Sequence, residues 1–363
     1  MSTRPFFRSA LVALTSVALA CSGDRPAPTE VAGTATDAAV AAVQSPIQVR
    51  VAPTTAVYRG SEAVRVMVTL SNPTRAAVLV PRLAIPEAEL DEALFTVTRD
   101  GVPVPYVGPH VKRGATQAAE LVRLEAGASL AVVVDLSGAY DLSRDGTYAV
   151  SYDSRGAHGA RETTLRSPAT AFTLTERTAT VSAYAAPFTS TAAFALTYTN
   201  CTATQQSQLV TAVASATTYA QQASGYFAVN TAATARYTKW FGIYTASNFS
   251  TVKAHFAAIQ SAFETQPVTI DCRCKKTYYA YVYPSQPYKI YVCSAFWKAP
   301  LTGTDSKAGT LIHEMSHFTV VAGTDDWAYG QSAAASLAIS DPLKAIDNAD
   351  SHEYFAENTP ILN

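Results

Sequence analysis

Hydrophobic and polar side chains alternate along much of the first half of the chain. Clear examples are the segments 47–51, 64–70 and 130–136, which are separated by residues typical of turns. A two-residue period places successive side chains on opposite faces of a strand, and frequent turns join neighbouring strands in antiparallel order. The pattern predicts an all-β, immunoglobulin-like sandwich over residues 46–177.

In the second half, apolar residues recur at helical spacing instead. Two sets follow this spacing: Leu209, Val213, Ala216 and Ala220, then Phe249, Val252, Phe256, Ile259 and Phe263. Segments 277–283 and 288–292, rich in Tyr and Val, predict a β-hairpin whose strand could pair with an extended substrate. We therefore expect an α+β, mostly helical domain over residues 197–363.

The first residues have the features of an export signal. Arg4 and Arg8 precede an apolar run over 10–20, which ends in Ala-Leu-Ala directly before Cys21. Such a run is too short for a membrane span and has the flanks of a cleaved leader, so it predicts a signal peptide over residues 1–20.

Two processing routes are open for this leader. Cys21 resembles the lipid acceptor of a bacterial lipoprotein, although Ala18 replaces the usual leucine, and ordinary cleavage after Ala20 is the other route. The protein is thus expected to be secreted, either free or lipid-anchored at the bacterial cell envelope. Residues 21–45 and 178–196, rich in Ala and Thr, predict a flexible linker and a connector.

The sequence His-Glu-Met-Ser-His at 313–317 carries the strongest chemical signal. Residues four apart lie on the same face of a helix, so His313 and His317 can bind one metal ion. Glu314 lies beside them and can act as a base. These residue types at this spacing indicate a catalytic zinc site.

A catalytic zinc needs a third protein ligand. The helix is expected to end near Gly323, after a β-branched run, and glycine can adopt the left-handed conformation that turns the chain back. Either Asp325 or Asp326 can then reach the metal.

The motif and its surroundings resemble the aspzincin metallopeptidases, and within them the peptidyl-Lys metalloendopeptidases. These proteins share HExxH followed by Gly-Thr-x-Asp and Tyr-Gly, here at 323–326 and 329–330. The likeness extends from about residue 197 to 363 and includes the blocks 293–310 and 348–355. It implies a zincin-like catalytic domain and a secreted zinc metalloendopeptidase, made as a proenzyme, that cuts on the amino side of lysine.

The resemblance also implies roles for single residues. His313, His317 and Asp326 would bind one zinc ion in the catalytic domain, and Glu314 would be the general base. The hydroxyl of Tyr329 would stabilise the tetrahedral intermediate.

Asp350 and Glu353 would form the substrate pocket in such a protein and hold a lysine ammonium just after the scissile bond. They are three residues apart, so on a helix they share a face. A compact ammonium suits two carboxylates better than a planar guanidinium does. The expected partners are protein and peptide substrates with lysine at this position.

Four cysteines fall in the second half, and an even number in an exported protein predicts disulfides. Their spacing lacks the paired Cys-x-x-Cys knuckles of a structural zinc site. The resemblance implies that Cys201 pairs with Cys272 and Cys274 with Cys293.

The charge of the chain excludes some classes of partner. Lysine and arginine total 27 against 28 acidic residues, a net charge of −1. A nearly neutral protein gives no reason to expect binding to nucleic acid, and only lipidation of Cys21 would bring it to a membrane.

Because the predicted sandwich precedes the catalytic domain, we expect it to be a propeptide that aids folding or covers the cleft. It has no cysteine to block the zinc, so blocking would be steric or would use a carboxylate or a histidine. His110 and His158 are candidates, although each is interpreted as a surface residue. Lys112 is the one lysine before residue 197, so a lysine-specific protease could cut the bond 111–112. The expected mature end at 196–197 lacks lysine and needs another protease.

Two other functions are consistent with the sequence. One is an aspzincin of broader specificity, which would also cut peptides without lysine. The other is a surface-anchored binding protein whose sandwich does the binding and whose zinc site is vestigial.

Overall fold

The computed structural model describes residues 45–115, 117–154, 165–177 and 195–363. The predicted signal peptide, Cys21, nearly all of the linker, His158 and most of the connector lie outside these residues. Within the described ranges, no helix is long and apolar enough to cross a bilayer.

Eleven strands occupy the described part of the N-terminal region, residues 45–177. They are β1 (Gln48–Pro53), β2 (Val57–Arg59), β3 (Arg65–Ser71), β4 (Val78–Pro81), β5 (Phe95–Arg99), β6 (Val102–Val104), β7 (His110–Lys112), β8 (Leu121–Leu124), β9 (Ser129–Asp135), β10 (Gly146–Tyr152) and β11 (Thr170–Thr175).

Two sheets of this region share one hydrophobic core. One has the strand order β1-β3-β9 and the other β2-β11-β10-β5-β6, and all pairs are antiparallel except β2 with β11. In β3 the alternation is plain, because Val66 and Val68 are buried while Met67 is exposed. The predicted alternating strands at 47–51, 64–70 and 130–136 are confirmed as β1, β3 and β9.

The second half is a mixed α and β structure. Its elements are β12 (Ala195–Thr199), α1 (Ala203–Val229), α2 (Ala235–Phe241), α3 (Ala246–Thr265), β13 (Pro267–Asp271), β14 (Ala280–Val282), β15 (Lys289–Val292), α4 (Ser294–Lys298), α5 (Lys307–His317), α6 (Gln331–Ser340), α7 (Pro342–Ala345) and α8 (Ala349–Glu357). The expected boundary at 196–197 lies within β12.

Helix α1 begins where its sequence supplies a cap. The hydroxyl of Thr202 accepts a hydrogen bond from the Gln205 N–H, and the Gln205 side chain accepts one from the Thr202 N–H. This capping box satisfies two backbone donors that the helix leaves unpaired. The predicted apolar stripes of α1 and α3 are confirmed, because both are buried in the core that these helices share with α5.

One sheet joins the two halves of the chain. Its order is β12-β13-β15-β14-β7, so a strand of the N-terminal region forms the edge of the second sheet. Strands β14 and β15 pair antiparallel as the predicted hairpin, and β7 pairs antiparallel with the free side of β14. An element outside the second half therefore occupies the edge where an extended substrate was expected.

Both disulfides have the implied connectivity. Cys201, between β12 and α1, is bonded to Cys272 at the end of β13. Cys274 is bonded to Cys293, which lies between β15 and α4. The two bonds tie the sheet to the start of helices α1 and α4.

The expected end of the HExxH helix near Gly323 is wrong. Helix α5 ends at His317, and Phe318 already has an extended backbone with φ −60° and ψ 128°. The β-branched residues at 319–321 therefore lie in the turn after the helix. Gly323 does adopt the expected left-handed conformation, with φ 62°, and its N–H donates to the carbonyl of Phe318 at 3.1 Å.

The N-terminus of α5 is fixed by a carboxylate from α8. Glu357 accepts hydrogen bonds from the N–H and hydroxyl of Ser306, at 2.9 and 2.8 Å, and from the Asp305 N–H at 3.2 Å. A Cβ on Gly309 would lie 2.0 Å from Glu357 Oε1. Glycine at this position is thus required for α5 and α8 to approach.

We predict that Gly309→Ala destabilises the protein by about 1–3 kcal/mol, because the methyl group displaces a hydrogen-bonded carboxylate from a packed interface. Gly225→Ala, in α1 where a Cβ meets nothing within 4 Å, is the matched control and should be neutral or stabilising by up to about 1 kcal/mol. Urea unfolding of both variants checks this. Equal stabilities would show that the α5–α8 contact tolerates a side chain.

Candidate active site

Helix α5 brings two histidines onto one face. His313 and His317 are fully buried, and their Nε2 atoms lie 3.1 Å apart. The one-turn spacing of the motif accounts for this arrangement.

Asp326 completes a three-residue group. Its Oδ1 lies 3.2 Å from His313 Nε2, and its Oδ2 lies 3.5 Å from His317 Nε2. Ligand atoms of a tetrahedral zinc, at bond lengths of about 2.0–2.1 Å, are separated by roughly 3.3 Å. The three side chains therefore have the donor types and the spacing that zinc requires. Burial opposes the ionisation of Asp326, but His317 and His313 lower its pKa well below the usual value.

Asp325 is directed away from this group. Its N–H donates to the carbonyl of Asp347, and its own carbonyl accepts from the Ala349 N–H. Its carboxylate Oδ1 lies 3.7 Å from His110 Nδ1. The backbone of Asp325 is thus paired with the segment before α8, and of the two aspartates it is Asp326 whose carboxylate lies beside both histidine Nε2 atoms.

The other ring nitrogens of the two histidines have partners of their own. His317 Nδ1 lies 2.7 Å from the carbonyl oxygen of Thr324. His313 Nδ1 lies 2.8 Å from Asp350 Oδ1, a charged contact without standard hydrogen-bond geometry. Such outer partners fix the ring orientation and leave Nε2 for a metal. The sequence analysis missed both contacts, and only the Asp350 contact has a signal, since that residue was already singled out for another role.

Glu314 is fully buried beside the histidines. Neither carboxylate oxygen has a hydrogen bond of standard geometry, although the backbone N–H of Lys112 faces this side chain. Burial raises the pKa of Glu314 to about 7. A carboxyl group with this pKa can both accept and return a proton near neutral pH.

Asp350 and Glu353 lie on one face of α8 and are fully buried. Both contact the ammonium of Lys112, which is 2.9 Å from Asp350 Oδ1 and 2.9 Å from Glu353 Oε2. Asp305 Oδ1 lies 3.3 Å from the same ammonium and accepts the Tyr354 hydroxyl at 2.7 Å. We call Asp305, Asp350 and Glu353 the acidic pocket. Asp305 lies in the loop before α5, far along the chain from Asp350 and Glu353, so no local sequence pattern marked it.

Tyr329 is fully buried near Asp326, and burial raises its pKa. Its hydroxyl donates to Glu92 Oε1, in the N-terminal region, at 2.9 Å. Glu92 is in turn 2.7 Å from Arg113 Nε. The sequence analysis missed Glu92, which carries no motif.

The interpretation of His110 as a surface residue is wrong. Its side chain is 12% exposed, and its ring centroid lies 4.8 Å from that of His317. Burial lowers its pKa to about 4. Because β7 lies in the cleft, His110 also forms, with His317 and Asp326, a second group of ligand atoms within 4.8 Å of one another.

Comparison with known proteins identifies the family of the chain. The family model of the aspzincins, described as lysine-specific metallo-endopeptidases, matches residues 226–357. An extracellular protease of Aeromonas hydrophila is 42% identical over 85% of this chain and 92% of its own length. A peptidyl-Lys metalloendopeptidase of Grifola frondosa is 37% identical over 98% of this chain and 99% of its own.

A solved zinc peptidase, also from Grifola frondosa, covers 45% of this chain and 100% of its own, with 50% identity and a TM-score of 0.44. The two relatives from Aeromonas hydrophila and Grifola frondosa, which match most of both chains, define the class of protein. This chain belongs to the aspzincin family of metallopeptidases. It is a secreted metalloendopeptidase, and its cofactor is zinc.

We expect Asp326→Ala to lose most of the bound zinc and Asp325→Ala to keep it, because Asp326 alone of the two lies within 3.5 Å of both histidine Nε2 atoms. Metal analysis after dialysis compares the two variants directly. Retention of zinc by Asp326→Ala together with its loss from Asp325→Ala would reverse the assignment.

Proposed function

We propose that this enzyme cuts peptide bonds on the amino side of lysine and is made as a proenzyme. The observation that carries the proposal is the Lys112 ammonium, which lies 2.9 Å from both Asp350 and Glu353, and the side chains of all three residues are fully buried. An ammonium removed from water needs negatively charged partners of this kind, since an unpaired buried charge costs several kcal/mol.

The shape and charge of the acidic pocket favour lysine over arginine. Its three carboxylates surround one point at 2.9, 2.9 and 3.3 Å. The rings of Tyr354 and Tyr279 lie 5.2 and 5.7 Å from the same ammonium. A compact charge fits such a convergent set, whereas a guanidinium presents its donors in a wide planar fork.

The position of the pocket determines which bond is cut. Asp350 Oδ1 contacts both the pocket ammonium and His313 Nδ1, so a lysine in the pocket lies next to the metal centre. The backbone N–H of that lysine faces Glu314. Because the leaving nitrogen must receive a proton from the base, the nitrogen that leaves belongs to the lysine.

In this proposal His313, His317 and Asp326 hold the zinc, and Glu314 moves the proton. Zinc, when bound, polarises the peptide carbonyl and makes water more acidic. Glu314 accepts the proton of the attacking water and passes it to the leaving nitrogen. Its burial, which raises its pKa to about 7, suits it to both steps.

Tyr329 is proposed to donate its hydroxyl hydrogen to the carbonyl oxygen as negative charge develops there. In the described structure this hydrogen is donated to Glu92. Tyr329 can therefore take this role only after Glu92 has withdrawn, which supports a proenzyme.

The N-terminal region is proposed to be an immunoglobulin-like prodomain over residues 46–177, following a signal peptide at 1–20 and a linker at 21–45. Its two sheets, with strand orders β1-β3-β9 and β2-β11-β10-β5-β6 around one core, support this proposal. The hydroxyl of Tyr148 donates to the Arg144 carbonyl at 2.8 Å, as in a tyrosine corner. Its hydrophobic core is separate from that of the catalytic part, for which we propose residues 197–363, with 178–196 as connector.

The two alternative functions are not favoured. A vestigial zinc site would not be expected to keep His313, His317, Asp326 and Glu314 together and buried. A broad-specificity enzyme would have no use for a buried acidic pocket beside the metal centre.

We predict that Glu314→Gln keeps its zinc and its fold but loses activity by about a thousandfold or more, since an amide cannot accept the proton. Tyr329→Phe should lower kcat by a smaller factor, about ten- to a hundredfold, with little change in KM. Turnover of an unstructured protein, measured with metal content and circular dichroism, checks both. A zinc-loaded Glu314→Gln variant with substantial turnover would remove Glu314 from the mechanism.

We predict that lysine dominates the new N-termini of the products and that arginine is cut poorly. Asp350→Ala and Glu353→Ala should each lower the preference for lysine about a hundredfold or more, because the remaining carboxylates compensate a buried ammonium incompletely. Mass spectrometry of products from one unstructured protein measures this preference. Glu264→Ala, an exposed acid on α3, is the control and should leave it unchanged.

Product ends without lysine enrichment in the wild type would place the enzyme among broad-specificity aspzincins. Zinc content should be recorded for Asp350→Ala, because this residue also contacts His313. Glu353→Ala, whose carboxylate is farther from His313 at 3.5 Å, separates a loss of selectivity from a loss of metal.

A further inference from the structure

Strand β7 lies in the active-site cleft as an extended peptide. Lys112 is paired with Ala280 and Val111 with Tyr281 of β14, in antiparallel order. The Tyr279 N–H donates to the Lys112 carbonyl at 3.0 Å. Addition of a strand to a sheet edge is a common way to bind an extended peptide, with main-chain hydrogen bonds giving affinity and side-chain pockets giving specificity.

The peptide bond between Val111 and Lys112 is bracketed by the proposed machinery. On one side, the Val111 N–H donates to Asp326 Oδ2 at 3.2 Å. On the other, the buried Glu314 carboxylate lies next to the backbone N–H of Lys112, without a hydrogen bond of standard geometry. The Lys112 side chain fills the acidic pocket with its ammonium. Base, metal ligand and pocket thus all contact one dipeptide.

Other contacts hold this dipeptide in place. Glu92 accepts the Tyr329 hydroxyl, and Asp91 accepts the hydroxyl of Tyr278. Arg113, directly after Lys112, is paired with both acids at 2.7 and 3.1 Å. The segments on each side of the cleft are therefore fixed to each other and to the catalytic part.

We propose that Val111–Lys112 is a self-cleavage site, the first bond that the enzyme cuts in its own chain. The proposal rests on the proposed function, since it makes Lys112 a bound substrate residue. Water supplies the hydroxyl that joins the Val111 carbonyl carbon, and the bond from this carbon to the Lys112 nitrogen breaks. Val111 becomes a carboxylate, and Lys112 gains a free amine after Glu314 delivers the proton. Tyr329 takes no part in this first cut, because Glu92 still accepts its hydroxyl.

The cut leaves the N-terminal region assembled. Strands before and after residue 112 are paired across the cut: β3 with β9 over seven residue pairs and β5 with β10 over five. The two pieces hold different parts of the site, because Glu92 lies in the first and Lys112 in the second. Cleavage thus frees two strand ends in the cleft while the pieces remain associated.

The experiment uses the full chain, purified without zinc and then loaded with zinc. Mass spectrometry after denaturation should reveal a fragment that begins at residue 112. Its first-order rate constant of formation should be independent of protein concentration over a hundredfold range. Glu314→Gln and Lys112→Ala should yield none of it. Lys112→Arg should yield it at least tenfold more slowly, while Lys253→Ala, which removes an exposed lysine of α3, should match the wild type.

A second measurement does not depend on activity. In the Glu314→Gln chain, an amine-reactive reagent should modify Lys112 at least tenfold more slowly than Lys253, because the Lys112 side chain is fully buried. Equal modification rates for Lys112 and Lys253 would show that the Lys112 side chain does not fill the acidic pocket. On native size-exclusion chromatography the cut wild-type pieces should elute together.

An intact 111–112 bond in the zinc-loaded wild-type chain overturns the self-cleavage site. If added peptides are nevertheless cut before lysine, the proposed function stands without it. If the 111–112 bond is cut with a first-order rate constant that rises in proportion to protein concentration, one molecule cuts another. The inference of self-cleavage is then also wrong. Product ends without lysine, in the chain and in added peptides alike, overturn the proposed function itself.

Discussion

One buried carboxylate connects the parts of this site. Asp350 Oδ1 lies 2.8 Å from His313 Nδ1 and 2.9 Å from the Lys112 ammonium, and its Oδ2 accepts the Gly330 N–H at 2.6 Å. Burial opposes its ionisation, but Lys112 and His313 outweigh this effect and lower its pKa. A charge with this degree of burial persists only when paired, so the histidine, the lysine position and the helix that carries Asp350 are fixed together.

This coupling relates catalysis to specificity. In the proposed mechanism, a substrate lysine in the acidic pocket contacts the same carboxylate that lies beside His313, a proposed zinc ligand. Substrate charge and ligand position would then act on one group. The same two helices, α5 and α8, also approach each other closely at Gly309 and Glu357. The contact between α5 and α8 therefore holds His313 beside Asp350 and holds the acidic pocket beside both.

The sequence was sufficient where local pattern decides structure. Period-two alternation predicted β1, β3 and β9, and the His313–His317 spacing placed two imidazoles on one face of a helix. It was insufficient where the partner is distant along the chain. Asp305, Glu92 and the Thr324 carbonyl reach the site through tertiary contacts that leave no periodic signal. His110 was misassigned for the same reason, because nothing near it in sequence indicates that β7 joins the catalytic sheet.

Asp350 is shared by the proposed metal centre and the lysine-filled acidic pocket. A crystal structure of the zinc-loaded full chain with Glu314→Gln tests this sharing. We expect zinc on His313, His317 and Asp326, with the Lys112 ammonium within hydrogen-bonding distance of Asp350 and Glu353. Zinc on His110, His317 and Asp326, with Lys112 outside the pocket, would contradict it.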